Sequence, residues 1–156
     1  MLNWLKSLFK VPEPAGPPQP IRQFGTSDKP ITQDGVSADQ NGWRITSQAQ
    51  TTVRLYEVPQ PGAEQCLLTY RTGMKTENLQ GGAYLEMWCR LPGKGEFFSK
   101  GFHHKVKGTT GWASYEVPFY LKKGQRPDLI KLNVVLEGSG TVWLRNSELL
   151  QTALKN

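Results

Sequence analysis

Ala83-Tyr-Leu-Glu-Met-Trp-Cys-Arg-Leu91 is the stretch on which the fold turns. Alternate side chains of a strand point to opposite faces. One parity here reads Ala83, Leu85, Met87, Cys89 and Leu91; the other reads Tyr84, Glu86, Trp88 and Arg90. An apolar front with an aromatic and charged back predicts a strand with one face on a core. Pro92-Gly93 closes it. Similar runs flank it. Residues 112–121 place Ala113, Tyr115, Val117, Phe119 and Leu121 inward, leaving Trp112, Ser114, Glu116 and Tyr120 outside. Residues 129–137 turn Ile130, Leu132, Val134 and Leu136 to the core. Residues 43–45, 52–58 and 65–71 read as earlier strands, 95–100 as a weaker one, and 141–150 as the last. Within the last, Val142 and Leu144 share one parity, whereas Trp143 and Leu149 take the other. That conflict predicts a bulge near Arg145-Asn146.

Short strands with a turn signal every 8–12 residues, and no helical pattern between them, predict an all-β antiparallel sandwich and exclude βαβ folds. Composition agrees. The chain has 156 residues, 16 Gly and 11 Pro, with 37% hydrophobic and 10% aromatic residues. A chain this long buries about 70% of its unfolded surface, so it needs neither metal nor disulfides to fold. No apolar run approaches the roughly 20 residues of a spanning helix. The expected organisation is an N-terminal segment 1–10, a Pro-rich linker 11–24, a sandwich 25–151 and a tail 152–156.

Residues 1–10 carry Leu2, Leu5, Leu8 and Phe9 at helical spacing, with Trp4 beside them. Ten residues are too few for a stable free helix, so the segment is expected to be frayed, docked, or lying in a membrane interface. It lacks the continuous apolar core and cleavage site of a signal peptide, which favours a cytoplasmic or peripheral membrane location. Residues 11–20 hold five prolines and read as an extended spacer, with a PxxP ligand as the other reading. The sandwich is expected to start between Ile21 and Ile31.

Nineteen Lys and Arg against thirteen Asp and Glu give a net charge of +6. The basic residues are scattered, which is the pattern of a solvated surface rather than a nucleic-acid arm. With no RNP-like motif or zinc module, no specific nucleic-acid partner is expected. His103-His104 diverge and lack a third ligand, so no metal site is expected there. Glu86, Glu116 and Glu137 point outward and raise the idea of a glycosidase pair, yet no nucleophile motif is present and isolated outward Glu are usually solvated. The chain reads as a non-enzyme with no catalytic residue and no cofactor. Cys66 and Cys89 fall at core parity. If 65–71 and 83–91 form a hairpin the two lie nearly opposite; reduced thiols are preferred.

The outward residues carry the functional reading. Tyr84 and Trp88 stand on one side of a strand, flanked by Glu86 and Arg90. Aromatic faces beside hydrogen-bonding charged groups suit sugar recognition: C–H faces stack on a ring while hydroxyls pair with carboxylate and guanidinium. Alternatively, a loop or the N-terminal segment covers both rings.

Three further stretches carry a resemblance: Leu68-Thr-Tyr-Arg-Thr running on to Ala83-Tyr-Leu-Glu-Met-Trp, Gly111-Trp-Ala-Ser-Tyr-Glu-Val-Pro-Phe, and Leu132-Asn-Val-Val-Leu-Glu-Gly-Ser-Gly-Thr-Val-Trp-Leu. Over about half the chain they resemble the galactose-binding-like jelly-roll domains, which include several families of carbohydrate-binding module. The second stretch is similar to the family's W-x-x-Y-x-x-x-F strand, the third to its closing G-x-V-W-F-D-D-V-x-L. Arg145-Asn146 replaces the family's Asp-Asp, which puts the calcium site of many relatives in doubt. The resemblance implies a jelly roll that binds a glycan without catalysis. The expected ligand-binding set is Tyr84, Glu86, Trp88, Arg90, Trp112 and Glu116. The alternative is an accessory module with no sugar ligand, meeting a protein partner or tethered to a membrane through residues 1–10.

Overall fold

A computed structural model describes residues 12–155; the amphipathic segment expected at 1–10 lies outside the described residues. Nine strands run in the order β1 (Gln19–Gln23), β2 (Val36–Asp39), β3 (Gly42–Ser47), β4 (Thr51–Pro59), β5 (Cys66–Leu91), β6 (Gly95–Lys100), β7 (Val106–Tyr120), β8 (Leu129–Leu136) and β9 (Gly140–Ala153), with one 3-10 turn at Phe102–His104. All pairings are antiparallel. The all-β sandwich expected from the strand pattern is what forms.

The organising element is β5, 26 residues long. Its first half pairs with β7 on one edge and β9 on the other. Its second half pairs with β6 and β8. The hairpin considered for 65–71 and 83–91 is therefore not formed: both are ends of one strand. The polar stretch between them stays in the sheet because both edges are paired. Tyr70, Thr72, Met74 and Thr76 share the core parity and are all buried. The two threonines satisfy their hydroxyls there: Thr72 Oγ1 pairs with Ser147 Oγ at 2.7 Å and Thr76 Oγ1 donates to the Gly108 carbonyl at 3.0 Å.

Between Asn78 and Gly82 the strand turns from one half-sheet into the other. Asn78 and Gly81 adopt left-handed φ of 51° and 71°. Glu137 clamps the turn, its Oε1 accepting from the Gly82 amide at 2.9 Å and its Oε2 from Lys105 Nζ at 2.8 Å. Past the turn, β5 runs back so that its two ends meet loops at the opposite end of the molecule. There the Leu121 amide donates to the Cys66 carbonyl at 2.8 Å, and Arg90 grips Asp128 at 2.8 and 3.2 Å.

The core lies between the two halves. Ala83, Leu85, Met87, Cys89 and Leu91 of β5 join Ile130, Leu132, Val134 and Leu136 of β8, and Leu68, Tyr70, Met74, Leu144 and Leu149 close it from the other half. β7 follows its expected parity less fully, because it is an edge strand: Val117 is buried, Tyr115 and Phe119 are half-buried, and Ala113 is exposed. Both cysteines are free thiols in the core, and burial pushes Cys66 up and Cys89 up to about 12.

The proline-rich stretch is not a spacer over its described length. Pro14 bridges Leu154, the Ala15 amide donates to the Ala153 carbonyl, and β1 pairs with β9 from Gln19 to Gln23. β9 offers an edge there, and proline is tolerated at an edge because one of its sides needs no N–H donor. The folded body therefore starts before the expected Ile21.

Tyr70 is fully buried, and its hydroxyl has no hydrogen-bond partner among the described residues. Tyr70→Phe should leave the unfolding free energy unchanged or raise it by up to about 1 kcal/mol in urea denaturation, since an unpaired buried hydroxyl costs rather than contributes. A loss above about 1 kcal/mol would mean that the hydroxyl has a partner. Acid should act through the clamps. Arg90 holds Asp128 below its ordinary value of 3.8, Arg126 and the Gly124 amide hold Glu64 below 4.5, and Lys105 and the Gly82 amide hold Glu137 below 4.5. Depressed carboxylates give stability that is present above about pH 4.5 and lost as pH falls through their folded values. The urea midpoint should fall below that point, and Glu137→Gln should flatten the decline.

Candidate glycan-binding groove

The six residues expected to form one site occupy two different surfaces. Tyr84, Glu86, Trp88 and Arg90 lie on the outer face of the half-sheet β4-β8-β5-β6; Trp112 and Glu116 lie on that of β3-β9-β5-β7.

The first surface is largely occupied by the protein itself. Tyr84 is only 7% exposed and packs on Phe102 with ring centroids 4.9 Å apart. Trp88 is half-buried against Phe98, the residue paired with it on β6, at 5.1 Å. Glu86 is buried, accepting from Asn133 Nδ2 at 2.9 Å, with Lys100 Nζ at 3.5 Å. Arg90 is committed to Asp128. The open face expected for Tyr84 is thus corrected, because β6 and the 3-10 turn fold across its edge. What they expose instead are Phe98 and Phe102, about half accessible, with Lys100 Nζ within 6 Å of both rings. The sequence reading missed these two rings; Glu96-Phe-Phe in a weak strand was the available signal.

The second surface is recessed. A groove of about 330 Å³ runs across β9, β5 and β7, lined by Arg71, Gly73, Trp112, Ser114, Arg145 and Glu148 among others. Its geometry follows from register. Gly73 pairs with Arg145 and Ser114, and Arg71 with Glu148 and Glu116, so these side chains share one face in two rows. Arg145 and Glu148 are three apart and would ordinarily face opposite ways. The expected bulge is present: Asn146 takes a left-handed φ of 57°, and the β5–β9 register shifts there. The extra residue returns Glu148 to the outer face and Leu149 to the core.

One row is an ion network. Arg71 donates Nε to Glu116 at 3.2 Å and Nη1 to Glu148 at 3.3 Å. The other is a stack, with the Arg145 guanidinium 3.9 Å from the Trp112 ring centroid. Gly73 forms the floor beneath that stack. A Cβ there would sit 3.5 Å from Arg145 Cγ and 3.8 Å from Trp112 Cε3. A neighbouring hollow of about 490 Å³ shares Ser114 with it and is lined further by Glu116, His103, His104 and Lys105. Trp143 sits beside the groove, buried, its indole donating to Asp39 at 2.9 Å.

No protein-family profile matches the sequence, and comparison with curated proteins returns no match. Solved structures do match. The CBM22-1 xylan-binding domain of Paenibacillus barcinonensis Xyn10C superposes with a TM-score of 0.54 at 9% identity, over 89% of this chain and 98% of that one. This chain has the β-sandwich fold of a carbohydrate-binding module. A family 16 carbohydrate-binding module gives a TM-score of 0.45 at 11% identity, covering 74% and 80% of the two chains. TmCBM61 in complex with beta-1,4-galactotriose gives 0.44 at 16% identity, covering 82% and 86%.

The two surfaces should separate by mutation. Tyr84→Ala should lower stability by about 2–4 kcal/mol, as removal of a packed aromatic does, whereas Trp112→Ala should cost about 1 kcal/mol or less. Equal losses in thermal or urea unfolding would contradict this division.

Proposed function

We propose that the protein binds a glycan without catalysis, in the groove between the Trp112–Arg145 stack and the Arg71–Glu116–Glu148 row. The observation that carries this reading is the groove itself: an open depression on an outer sheet face, with an indole on one side and planar hydrogen-bonding groups on the other. A sugar ring has weakly polar C–H faces and a rim of hydroxyls. The indole offers the first a surface, and the carboxylates, the guanidinium, Ser114 and Asn146 offer the second both donors and acceptors. Discrimination comes from the polar row, because a hydroxyl missing from the ligand leaves a site group unpaired.

The fold adds support by analogy, since the xylan-binding domain shares the sandwich. Of the six residues expected from sequence, Trp112 and Glu116 are the ones we assign to the binding surface. Tyr84, Glu86, Trp88 and Arg90 support the opposite half-sheet.

A glycan array probed with the wild-type chain and Trp112→Ala tests the reading. Binding to one glycan class, weakened at least tenfold in Trp112→Ala and retained in Phe98→Ser, is the expected result. Binding lost in Phe98→Ser and kept in Trp112→Ala would move the site to the other face.

A further inference from the structure

We infer that the groove selects an acidic glycan, its uronate carboxylate or sulfate seated between Arg145 and Lys75; this rests on the glycan reading above. Most charged groups on this face are already paired: Glu116 and Glu148 share Arg71, which leaves that row one net negative charge, and Asp39 lies 3.6 Å from Arg44 while accepting from the Trp143 indole. Among the described residues, neither Arg145 nor Lys75 forms an ion pair. Lys75 Nζ donates to the neutral Gln40 Oε1 at 2.6 Å and lies 4.6 Å from the Trp143 ring centroid. Both cations stand over the same side chain, at 3.9 and 5.6 Å from the centroid of Trp112.

Two cations held close to one indole, with Glu116 and Glu148 drawn to Arg71 and the exposed Glu77 two residues beyond Lys75, make a cationic spot beside the surface where the sugar ring is to rest. The ring quadrupole offsets part of that charge but supplies no acceptor along the guanidinium edge. The Arg145 guanidinium lies over the Trp112 ring, and a guanidinium edge can grip a planar carboxylate through two parallel hydrogen bonds. Lys75 adds a compact second charge. The neighbouring hollow adds His103 and His104, whose ring N–H groups a longer chain would meet beyond the first subsite, while Lys105 there is already paired with Glu137. A neutral glycan would leave Arg145 and Lys75 uncompensated.

The test pairs each acidic probe with its neutral counterpart. Polygalacturonate, polymannuronate, hyaluronan and chondroitin sulfate are titrated by calorimetry or affinity electrophoresis, the uronates also after carboxyl reduction and the sulfated chain after desulfation. Expected is at least tenfold tighter binding of one acidic probe than of its neutral form. Arg145→Gln and Lys75→Gln should each weaken it fivefold or more. Lys122→Gln, which removes the same charge at the far end of the molecule, should not. Circular dichroism confirms that each variant is folded. Equal binding of acidic and neutral forms through Trp112 would overturn the charge selection and leave glycan binding standing. Acidic binding that falls equally in all three charge variants would reduce it to the attraction of a +6 protein and overturn the assignment. No binding to any carbohydrate, acidic or neutral, would overturn both readings.

Discussion

The double pairing of β5 is the constraint on which the structure depends. A strand hydrogen-bonded along both edges cannot slip against one neighbour without breaking the other, and a slip of one residue would turn every side chain to the wrong face. β7 and β9 hold its first half, β6 and β8 its second, and the turn at Asn78–Gly82 is where the chain passes between them. Glu137 fixes that turn by accepting from the Gly82 amide while Lys105 neutralises it. The core can then be shared by two half-sheets that are one continuous sheet, and each half-sheet is left with an outer face of set register.

Those two outer faces differ because their coverings differ. β6 continues the sheet beside the second half of β5, and the turn after it carries Phe102 onto Tyr84. On the first half the corresponding neighbour, β7, shifts register after Ala113 opposite Met74 and pairs on to Val106 opposite Ala83. Gly73 lies next to that position, where a Cβ would press on the Arg145 carbonyl oxygen at 3.2 Å and touch both Arg145 and Trp112. The floor of the groove is thus a residue without a side chain, flanked by two large flat ones.

Much of this was legible from residues alone, for reasons that can be named. Ala83–Leu91 and 129–136 alternate cleanly because one face is apolar throughout, and both form the expected strands. The bulge at Arg145-Asn146 was legible because two apolar parities collide and a single extra residue reconciles them. Two things were not. Thr72 and Thr76 look like loop residues, since the sequence does not show that each will find a hydroxyl or carbonyl partner in the core. That concealed the continuity of β5 and made a hairpin out of one strand. Parity also tells inside from outside but not which outside. Tyr84 and Trp112 are both outward residues of β-strands, and only strand order shows that one meets Phe102 and the other lies beside an open groove.

The bulge then has a meaning beyond parity. Without it, Arg145 and Leu149 would share one face, so Leu149 could enter the core only by bringing Arg145 in and turning Leu144 out. With it, a cation and a carboxylate lie in adjacent rows of the same surface, the carboxylate on Arg71 and the cation on Trp112. Arg71 takes up Glu148 before Arg145 can reach it, because Arg71 is its paired neighbour across the ladder. One inserted residue thus builds the groove wall and leaves its cation unneutralised. The shape of the groove and the charge of the ligand it favours come from a single local irregularity.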